Sequence, residues 1–204
     1  MPNNLISIQA LDDVMTDIGS ARGMPNAAYH SEELFRFERD EVLSKTWAGL
    51  VFESELPEPN FAHPIDFMGL PLVAVRGADD QIRIFHNVCS HRGFKLIDKP
   101  CTLKNVIRCP YHSWSYDFKG NLVATPHIGG LNVHSSDQFE KNQSNLKEVR
   151  SKIWMDIIFI NINANEIEFE DYIKPLEQRW SKFINQEDQK LLVHSKDHGS
   201  FDLE

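Results

Sequence analysis

The sequence predicts a mainly β protein that carries helices on both sides of the β region. Runs of β-branched and aromatic residues, separated by turn residues, fill the middle of the chain. Apolar residues at helical spacing precede and follow these runs. We therefore divide the chain into an N-terminal arm with a helix (residues 1–45), a β domain (46–163) and a C-terminal segment that starts with a helix (164–204).

The N-terminal helix is predicted to begin after Ser31 and to end near Lys45. Ser31 is suited to cap the helix, and Glu32 and Glu33 place carboxylates in the first turn, where the helix dipole stabilises negative charge. The apolar side of this helix consists of Leu34, Phe35, Val42 and Leu43.

The β domain contains two predicted hairpins and a further β run. Leu72–Arg76 and Gln81–Phe85 flank a turn at residues 77–80, and the second of these strands alternates apolar and polar residues. Residues 115–124 predict another hairpin that turns around Gly120. Residues 152–163, KIWMDIIFININ, predict one more strand-forming run.

The C-terminal segment is predicted to start with a helix and to end in a strand. Pro175 suits the first turn of a helix, because its missing N–H is not needed there. The apolar residues at helical spacing are Leu176, Trp180, Phe183 and Ile184. The tail, KLLVHSKDHGSFDLE, resembles a strand. We expect Trp47, Trp154 and Trp180 to lie in the core.

The overall composition excludes several classes of function. The 204 residues carry 21 Lys and Arg against 30 Asp and Glu, a net charge of −9, so nucleic acid is not an expected partner. Apolar stretches such as residues 157–160 are far too short to cross a bilayer, and the N-terminus lacks the pattern of a secretion signal. We expect a cytoplasmic protein.

Two Cys/His pairs form the most informative motif. Cys89 and His91 are followed, after 17 residues, by Cys109 and His112, in the pattern C-x-H-x17-C-x2-H. Zinc sites commonly take like ligands from one short segment, whereas each segment here supplies one thiolate and one imidazole. The pattern favours a [2Fe–2S] cluster with both cysteines on one iron and both histidines on the other. A structural zinc site is the alternative.

The two motifs and their flanks resemble a known family. C-S-H-R-G at 89–93 and C-P-Y-H-S-W at 109–114 resemble the two boxes of a Rieske domain, and are most similar to those of Rieske non-haem iron oxygenases, the ring-hydroxylating and quaternary-ammonium oxygenases. The resemblance implies a Rieske-type antiparallel β-sandwich or barrel. It also implies that Cys89 and Cys109 hold the buried iron, and that His91 and His112 hold the outer iron near the surface.

Residues beside the boxes predict a cluster of low reduction potential. Phe94 and Tyr111 occupy the positions of the two disulfide-forming cysteines of high-potential Rieske proteins. Trp114 stands where those proteins have a serine that donates to cluster sulfur, although Tyr116 is expected to keep one donor. Fewer donors favour the low end of the Rieske range, at about −150 mV.

The resemblance also implies a second iron site, which we do not find. Rieske oxygenases bind a mononuclear iron through two histidines and one carboxylate, in a D-x2-H-x4-H motif of a following catalytic domain. His194, Asp197 and His198 have the wrong order and spacing for this motif. We expect residues 164–204 to include the start of a truncated catalytic domain, and we expect no oxygenation by the chain alone.

The expected function is therefore electron transfer. A reductase or ferredoxin would supply electrons, an oxygenase catalytic domain or subunit would accept them, and the family implies a homotrimer. The alternatives are a free-standing Rieske electron carrier and a zinc-stabilised interaction module. Cys101 is expected to be a semi-buried free thiol, His86 to pack near the first box, and His127 to form loop hydrogen bonds.

Overall fold

The computed structural model describes residues 6–136, 138–163 and 167–181, and these form a mainly β protein, as predicted. The strands are β1 (Ala48–Phe52), β2 (Phe61–Phe67), β3 (Leu70–Arg76), β4 (Ile82–His86), β5 (Cys101–Thr102), β6 (Ile107–Arg108), β7 (Ser115–Tyr116), β8 (Leu122–Ala124), β9 (Glu148–Trp154) and β10 (Ile157–Asn161). The α-helices are α1 (Ile8–Val14), α2 (Ala27–His30), α3 (Glu32–Phe37) and α4 (Phe169–Trp180). Short 3-10 helices cover Leu43–Lys45, Glu53–Glu55 and Lys141–Ser144.

The strands pair into two antiparallel sheets. The larger sheet has the order β1-β10-β9-β4-β3-β2-β5, and the smaller one has the order β6-β7-β8. The first box follows β4 of the larger sheet, and the second box lies between β6 and β7 of the smaller sheet. Short turns connect β2 to β3, β3 to β4, β7 to β8 and β9 to β10.

The predicted N-terminal cap is confirmed, but the helix that follows is not uniform. The Ser31 side chain accepts a hydrogen bond from the Leu34 amide at 3.2 Å, and Leu34 is buried. After α3 the backbone continues as a π-helical turn over Glu38–Val42 and then as the 3-10 turn before β1.

The hairpin predicted around residues 77–80 is confirmed in register. It is formed by β3 and β4, in which Leu72 lies opposite His86 and Arg76 lies opposite Ile82. The hairpin predicted at Gly120 is also present, as β7 and β8.

The β run predicted over residues 152–163 is not one continuous strand. It consists of the end of β9, a two-residue turn and β10. Trp154 pairs with Ile157, and Met155 and Asp156 form the turn with φ values of 48° and 63°. Two consecutive residues with positive φ are typical of the tight turns that match the twist of a hairpin.

The C-terminal helix begins earlier than predicted. It begins at Phe169, so Pro175 lies inside α4 rather than in its first turn. Phe169 and Ile173 are buried against Trp47, whose indole N–H donates to the Ile167 carbonyl at 2.9 Å. This packing offsets the roughly 3 kcal/mol cost of an interior proline.

The predictions for the remaining C-terminal residues have mixed outcomes. Trp180 was expected in the core, but it is 41% exposed at the end of α4, where its ring lies 5.9 Å from that of Trp154. Phe183, Ile184 and the tail strand lie outside the described residues, as do His194, Asp197 and His198.

One of the buried clusters lies directly beneath the two boxes. It includes Cys89 and Cys109 together with apolar side chains of both sheets, among them Val73, Phe85 and Ile107. Side chains of both sheets thus pack against the two cysteines of the site. Among the residues that the structure describes, no helix has the length and apolarity required to cross a membrane.

Candidate metal centre

The first box forms a tight loop that is closed by two backbone hydrogen bonds. The Cys89 amide donates to the Phe94 carbonyl at 2.8 Å, and the Gly93 amide donates back to the Cys89 carbonyl at 2.9 Å. Val88 and Lys95 form an isolated antiparallel bridge at the base of this loop. Residues 89–94 therefore form a closed loop on the end of β4.

The second box repeats the same geometry. The Cys109 amide donates to the Trp114 carbonyl at 2.8 Å, and the Ser113 amide donates to the Cys109 carbonyl at 3.0 Å. Strands β6 and β7 hold the base of the loop, because Arg108 lies opposite Ser115. The two loops are thus structural repeats, although the histidine is the third residue of the first loop and the fourth residue of the second.

The fifth residue of each loop has a left-handed backbone conformation. Gly93 has a φ of 70°, and Ser113 has a φ of 59°. An L-residue in this region costs roughly 1 kcal/mol, which a glycine at position 113 would relieve. The two loops follow the same path although only the first has glycine at this position.

The two cysteines of the boxes meet at the buried base of the site. Cys89 and Cys109 are 1% and 2% exposed, and the two thiols lie close enough to interact electrostatically. Burial raises the pKa of the Cys109 thiol, the backbone amides of Tyr111 and His112 lower it, and the neighbouring Cys89 raises it again. The two amides aimed at the sulfur would stabilise a metal-bound thiolate.

The two histidines meet above the thiols, nearer the surface. The rings of His91 and His112 lie 4.8 Å apart at 72°, and His91 stacks on Trp114 at 4.6 Å and 12°. Burial lowers the pKa of His91, and the charges of His112 and Arg92 lower it further. Both effects favour the neutral imidazole that metals require.

An unpaired atom in the imidazole pair indicates a ligand position. The Nδ1 atom of His112 is buried and has no hydrogen-bond partner among the described residues. Because a buried polar atom without a partner costs about 1–3 kcal/mol, such atoms need an explanation, and a metal ligand supplies one.

The four side chains form a sulfur pair and an imidazole pair rather than one tetrahedral set. No three His, Cys, Asp or Glu side chains in the described part of the chain converge on a position for a single metal ion. A structural zinc would require four donors at about 2.0–2.3 Å from one point. A thiol pair at the base and an imidazole pair nearer the surface fit the two irons of a [2Fe–2S] cluster.

The hydroxyl of Tyr116 lies beside the sulfur pair, where the sequence predicts a donor. Its ring is fully buried, and its hydroxyl lies 3.3 Å from Cys89 Sγ and 2.8 Å from Ser90 Oγ. The Ser90 amide donates to the same hydroxyl at 3.1 Å, and Ser90 Oγ donates to the Ser144 carbonyl at 2.6 Å. Burial, followed by the neighbouring Cys89, raises the pKa of Tyr116, so the phenol keeps its proton.

Asn87 supports the first loop and was not identified from the sequence. It is fully buried, and its Oδ1 accepts hydrogen bonds from the Leu96 and Ile97 amides at 3.2 and 3.0 Å. Its Nδ2 donates to the Ile97 carbonyl at 2.7 Å. The Asn87 side chain thus links the residues that follow the first loop, Leu96 and Ile97, to the end of β4, which precedes the loop.

The other candidates take the supporting positions expected of them. Cys101 is a partly buried free thiol on β5, and burial raises its pKa. His86 ends β4, and burial, followed by the charge of Lys147, lowers its pKa. His127 accepts a loop hydrogen bond from the Asn132 amide at 2.9 Å.

Comparisons with known proteins agree with this site. Residues 46–135 match the family model described as the Rieske [2Fe-2S] domain. Fold and site therefore define residues 46–135 as a Rieske domain, the class of domain whose cofactor is a [2Fe–2S] cluster. The chain is similar to part of the oxygenase subunits of Rieske oxygenases.

Two relatives illustrate the extent of the similarity. The carnitine monooxygenase oxygenase subunit of Escherichia coli (strain K12) is 33% identical over 75% of this chain and 40% of its own length. The 2-aminobenzenesulfonate 2,3-dioxygenase subunit alpha of Alcaligenes sp is 28% identical over 77% of this chain and 39% of its own length. The chain thus spans about two fifths of the length of these relatives.

Solved structures have the same fold. The apo form of a quaternary ammonium Rieske monooxygenase, CntA, has a TM-score of 0.68 at 30% identity and covers 79% of this chain and 46% of its own. The naphthalene 1,2-dioxygenase from Rhodococcus sp. has a TM-score of 0.69 at 26% identity, over 83% and 38% of the two chains.

Proposed function

We propose that this chain is the electron-transfer part of a Rieske-type mono- or dioxygenase. Cys89 and Cys109 bind one iron of the cluster, and His91 and His112 bind the other. The observation that carries this assignment is the separation of a buried thiol pair from an imidazole pair nearer the surface, on two loops of the same geometry.

The residues around the cluster set its environment. When bound, the cluster supplies one-electron redox chemistry. The amides of Tyr111 and His112 and the hydroxyl of Tyr116 hold hydrogen bonds to the two sulfurs, where negative charge increases on reduction. Trp114 covers one face of His91 and keeps water from it.

The imidazole pair is the proposed exit for electrons. The Nδ1 atom of His112 is buried and has no hydrogen-bond partner among the described residues, so we assign it to the iron, which would leave Nε2 for a partner. We propose that His112 contacts a carboxylate of the accepting catalytic domain or subunit, which holds the mononuclear iron. A cytoplasmic reductase or ferredoxin supplies the electrons, and the homotrimer of the family brings donor and acceptor centres of different subunits together.

The proposed organisation of the chain follows the same division. Residues 46–163 form the cluster domain, and residues 1–45 form an arm that precedes it. Helix α4 packs on Trp47 at the start of the domain and leads into residues that belong to the catalytic part. We assign electron transfer to the described residues and oxygenation to that catalytic part.

The test of the proposed function is the metal content of the purified protein. We expect about two iron and two acid-labile sulfide per chain, with the absorption and electron paramagnetic resonance spectra of a Rieske cluster. Metal analysis with an anaerobic purification provides the measurement. A colourless protein with one zinc per chain would contradict the proposal and support the interaction-module alternative.

Tyr116→Phe is expected to lower the reduction potential of the cluster by about 40 mV. If Cys89 binds iron as a thiolate, its Sγ can only accept, so the Tyr116 hydroxyl at 3.3 Å would donate to it. This bond would strengthen when the reduced cluster carries more negative charge. A difference of about 1 kcal/mol between the two redox states corresponds to about 40 mV for one electron. Potentiometric titration provides the measurement.

Tyr172→Phe is the matched control for this experiment. Tyr172 lies on α4 and is 39% exposed, so the same loss of a hydroxyl there leaves the cluster unaffected. An unchanged potential in Tyr116→Phe, or an equal shift in both variants, would show that the Tyr116 hydroxyl does not tune the cluster.

A further inference from the structure

The hydroxyl of Tyr116 lies between two atoms that can accept its proton. It is 2.8 Å from Ser90 Oγ and 3.3 Å from Cys89 Sγ. A phenol carries a single O–H group, so it donates to one of these atoms at a time. Burial raises the pKa of Tyr116, so this proton stays on the phenol. Ser90 and the proposed ligand Cys89 therefore compete for one donor.

The proton of the Ser90 hydroxyl is already engaged. Ser90 Oγ donates to the Ser144 carbonyl at 2.6 Å, across 54 positions of the sequence. A serine hydroxyl also has only one proton, so while this bond is made Ser90 Oγ can only accept a hydrogen bond from Tyr116. The Ser144 carbonyl therefore keeps Ser90 in the role of an acceptor for the phenol.

The backbone that supplies this carbonyl is held in place by the residues that follow it. The Leu122 amide donates to Asn145 Oδ1 at 2.9 Å, and the Leu146 amide donates to the Gly120 carbonyl at 2.8 Å. Leu146 is also buried in the apolar cluster beneath the two boxes. Because two consecutive residues are bonded to the β7–β8 hairpin, the acceptor of the Ser90 proton has a fixed position beside the first loop.

Two arrangements of the protons follow from these contacts. In the first, Tyr116 donates to Ser90, which donates to Ser144. Both O···O contacts then contain a proton, and Cys89 Sγ receives none from the phenol. In the second, Tyr116 donates to Cys89 Sγ. The single proton of Ser90 then serves either Tyr116 or Ser144, so the second arrangement gives up one O–H···O hydrogen bond.

Reduction of the centre favours the second arrangement. A negatively charged acceptor forms a stronger hydrogen bond than a neutral hydroxyl does, and the sulfur ligands of an iron–sulfur cluster become more negative on reduction. The phenol proton is thus drawn towards Cys89 Sγ when an electron is added, but only at the expense of the bond to Ser90. Ser90 therefore opposes the hydrogen bond that stabilises the reduced state.

We infer that Ser90 is a positioning residue that competes with Cys89 for the Tyr116 proton and thereby lowers the reduction potential of the cluster. The inference rests on the proposed function and names a residue that sets the redox properties of the same site. One electron enters from an external one-electron reductant, the Tyr116 O–H bond stays intact, and only the acceptor of its hydrogen bond changes. A lower potential makes the reduced centre a stronger electron donor to the proposed catalytic site.

The test compares Ser90→Val with Ser90→Thr in the cluster-loaded protein. The two side chains have the same branched shape, but only threonine keeps the hydroxyl, and a methyl group of valine takes the place that water would otherwise enter. Potentiometric titration measures the equilibrium constant for one-electron reduction. We expect Ser90→Val to raise this constant by about fivefold, the effect of about one hydrogen bond, and Ser90→Thr to stay within about twofold of the wild type. Since a tenfold change is about 59 mV for one electron, a fivefold change is about 41 mV.

Tyr116→Phe provides the matched background for this comparison. Without the phenol there is no proton to compete for, so adding Ser90→Val to Tyr116→Phe should leave the equilibrium constant within about twofold. In the Ser90→Val background, conversely, loss of the phenol should lower the constant by more than it does in the wild type. An effect of position 90 on the shape of the loop, or on its access to water, would instead persist without the phenol.

Redox-difference infrared spectroscopy provides a second readout. The C–O stretching band of Tyr116 is assigned by its absence in Tyr116→Phe. We expect this band to shift on reduction of the wild type, because the hydroxyl changes its acceptor from oxygen to sulfur. In Ser90→Val the hydroxyl already donates to sulfur in the oxidised state, so the band should shift much less. A purely structural role of Ser90 would not remove the shift.

The outcomes separate the role of Ser90 from the proposed function. An unchanged potential in Ser90→Val, or an equal rise with and without the phenol, would overturn the competition. A lower potential would also overturn it, since Ser90 would then reinforce donation by Tyr116. If Ser90→Val does not retain the cluster, Ser90→Ala takes its place in the same set of variants. A wild-type protein without a [2Fe–2S] cluster would fail the metal analysis first, and both proposals would then fall.

Discussion

Cys109→Ser is expected to abolish the [2Fe–2S] cluster, whereas Cys101→Ser is expected to retain it in full. Cys109 lies 2% exposed beside Cys89 at the closed base of the site. Iron–sulfur clusters are held by thiolates, and a serine hydroxyl at a buried position is a poor substitute. Iron and sulfide in the Cys109 variant should fall from about two per chain to near zero, with loss of the visible absorption.

Cys101 provides the control within the same chain. It lies on β5, opposite Ala62, and packs partly buried against the same core without belonging to either loop. Its replacement by serine should reduce stability slightly, since a hydroxyl enters an apolar contact, and should leave the metal content unchanged. Loss of the cluster in the Cys101 variant alone would show that the ligand set has been assigned wrongly.

The features that could be predicted from the sequence are those fixed by local spacing. The cap at Ser31 depends on a side chain three residues from its partner amide, and the β3–β4 hairpin depends on alternation beside a turn. The ligand pattern was similarly local, because each box is a loop of six residues closed on itself. Local geometry of this kind can be recognised directly from the amino-acid sequence.

The errors occur where the usual local signal is absent. The turn at Met155 and Asp156 has positive φ at both residues without the glycine or asparagine that normally marks it, so two strands resembled one. Helix α4 begins after Glu168, which makes no side-chain capping bond, and Pro175 then suggested a start six residues too late. Tertiary packing on Trp47, which no local pattern contains, determines where this helix lies.

Asn87 could not be predicted because its role depends on residues that approach it only in the folded chain. Its side chain reaches across the first loop to residues 96 and 97, nine and ten positions further on. A polar residue at the end of an apolar strand would ordinarily be assigned to the surface. The structure instead buries it completely, and complete burial is favourable only because all three of its hydrogen bonds are formed.

Asn87→Ala is therefore expected to destabilise the first loop by about 3 kcal/mol. Three buried hydrogen bonds are lost at about 1 kcal/mol each, and no water replaces the side chain because Leu96 and Ile97 are themselves buried. Since each 1.4 kcal/mol is a factor of ten, hydrogen exchange at the Leu96 and Ile97 amides should accelerate by about a hundredfold. The cluster should also be lost more readily on heating, since the loop carries Cys89 and His91.

Asn145→Ala is the matched control. It separates the specific role of Asn87 from the general effect of removing an asparagine side chain. Asn145 accepts from the Leu122 amide at 2.9 Å and donates to the Asn121 side chain at 3.3 Å, but it is only partly buried, so water can take its place. We expect a loss of less than about 1 kcal/mol there, with the cluster retained. If both variants were equally stable, or if the Leu96 and Ile97 amides kept their protection without Asn87, the first loop would be held by its own backbone bonds. The geometry of the metal centre would then depend on the two boxes alone.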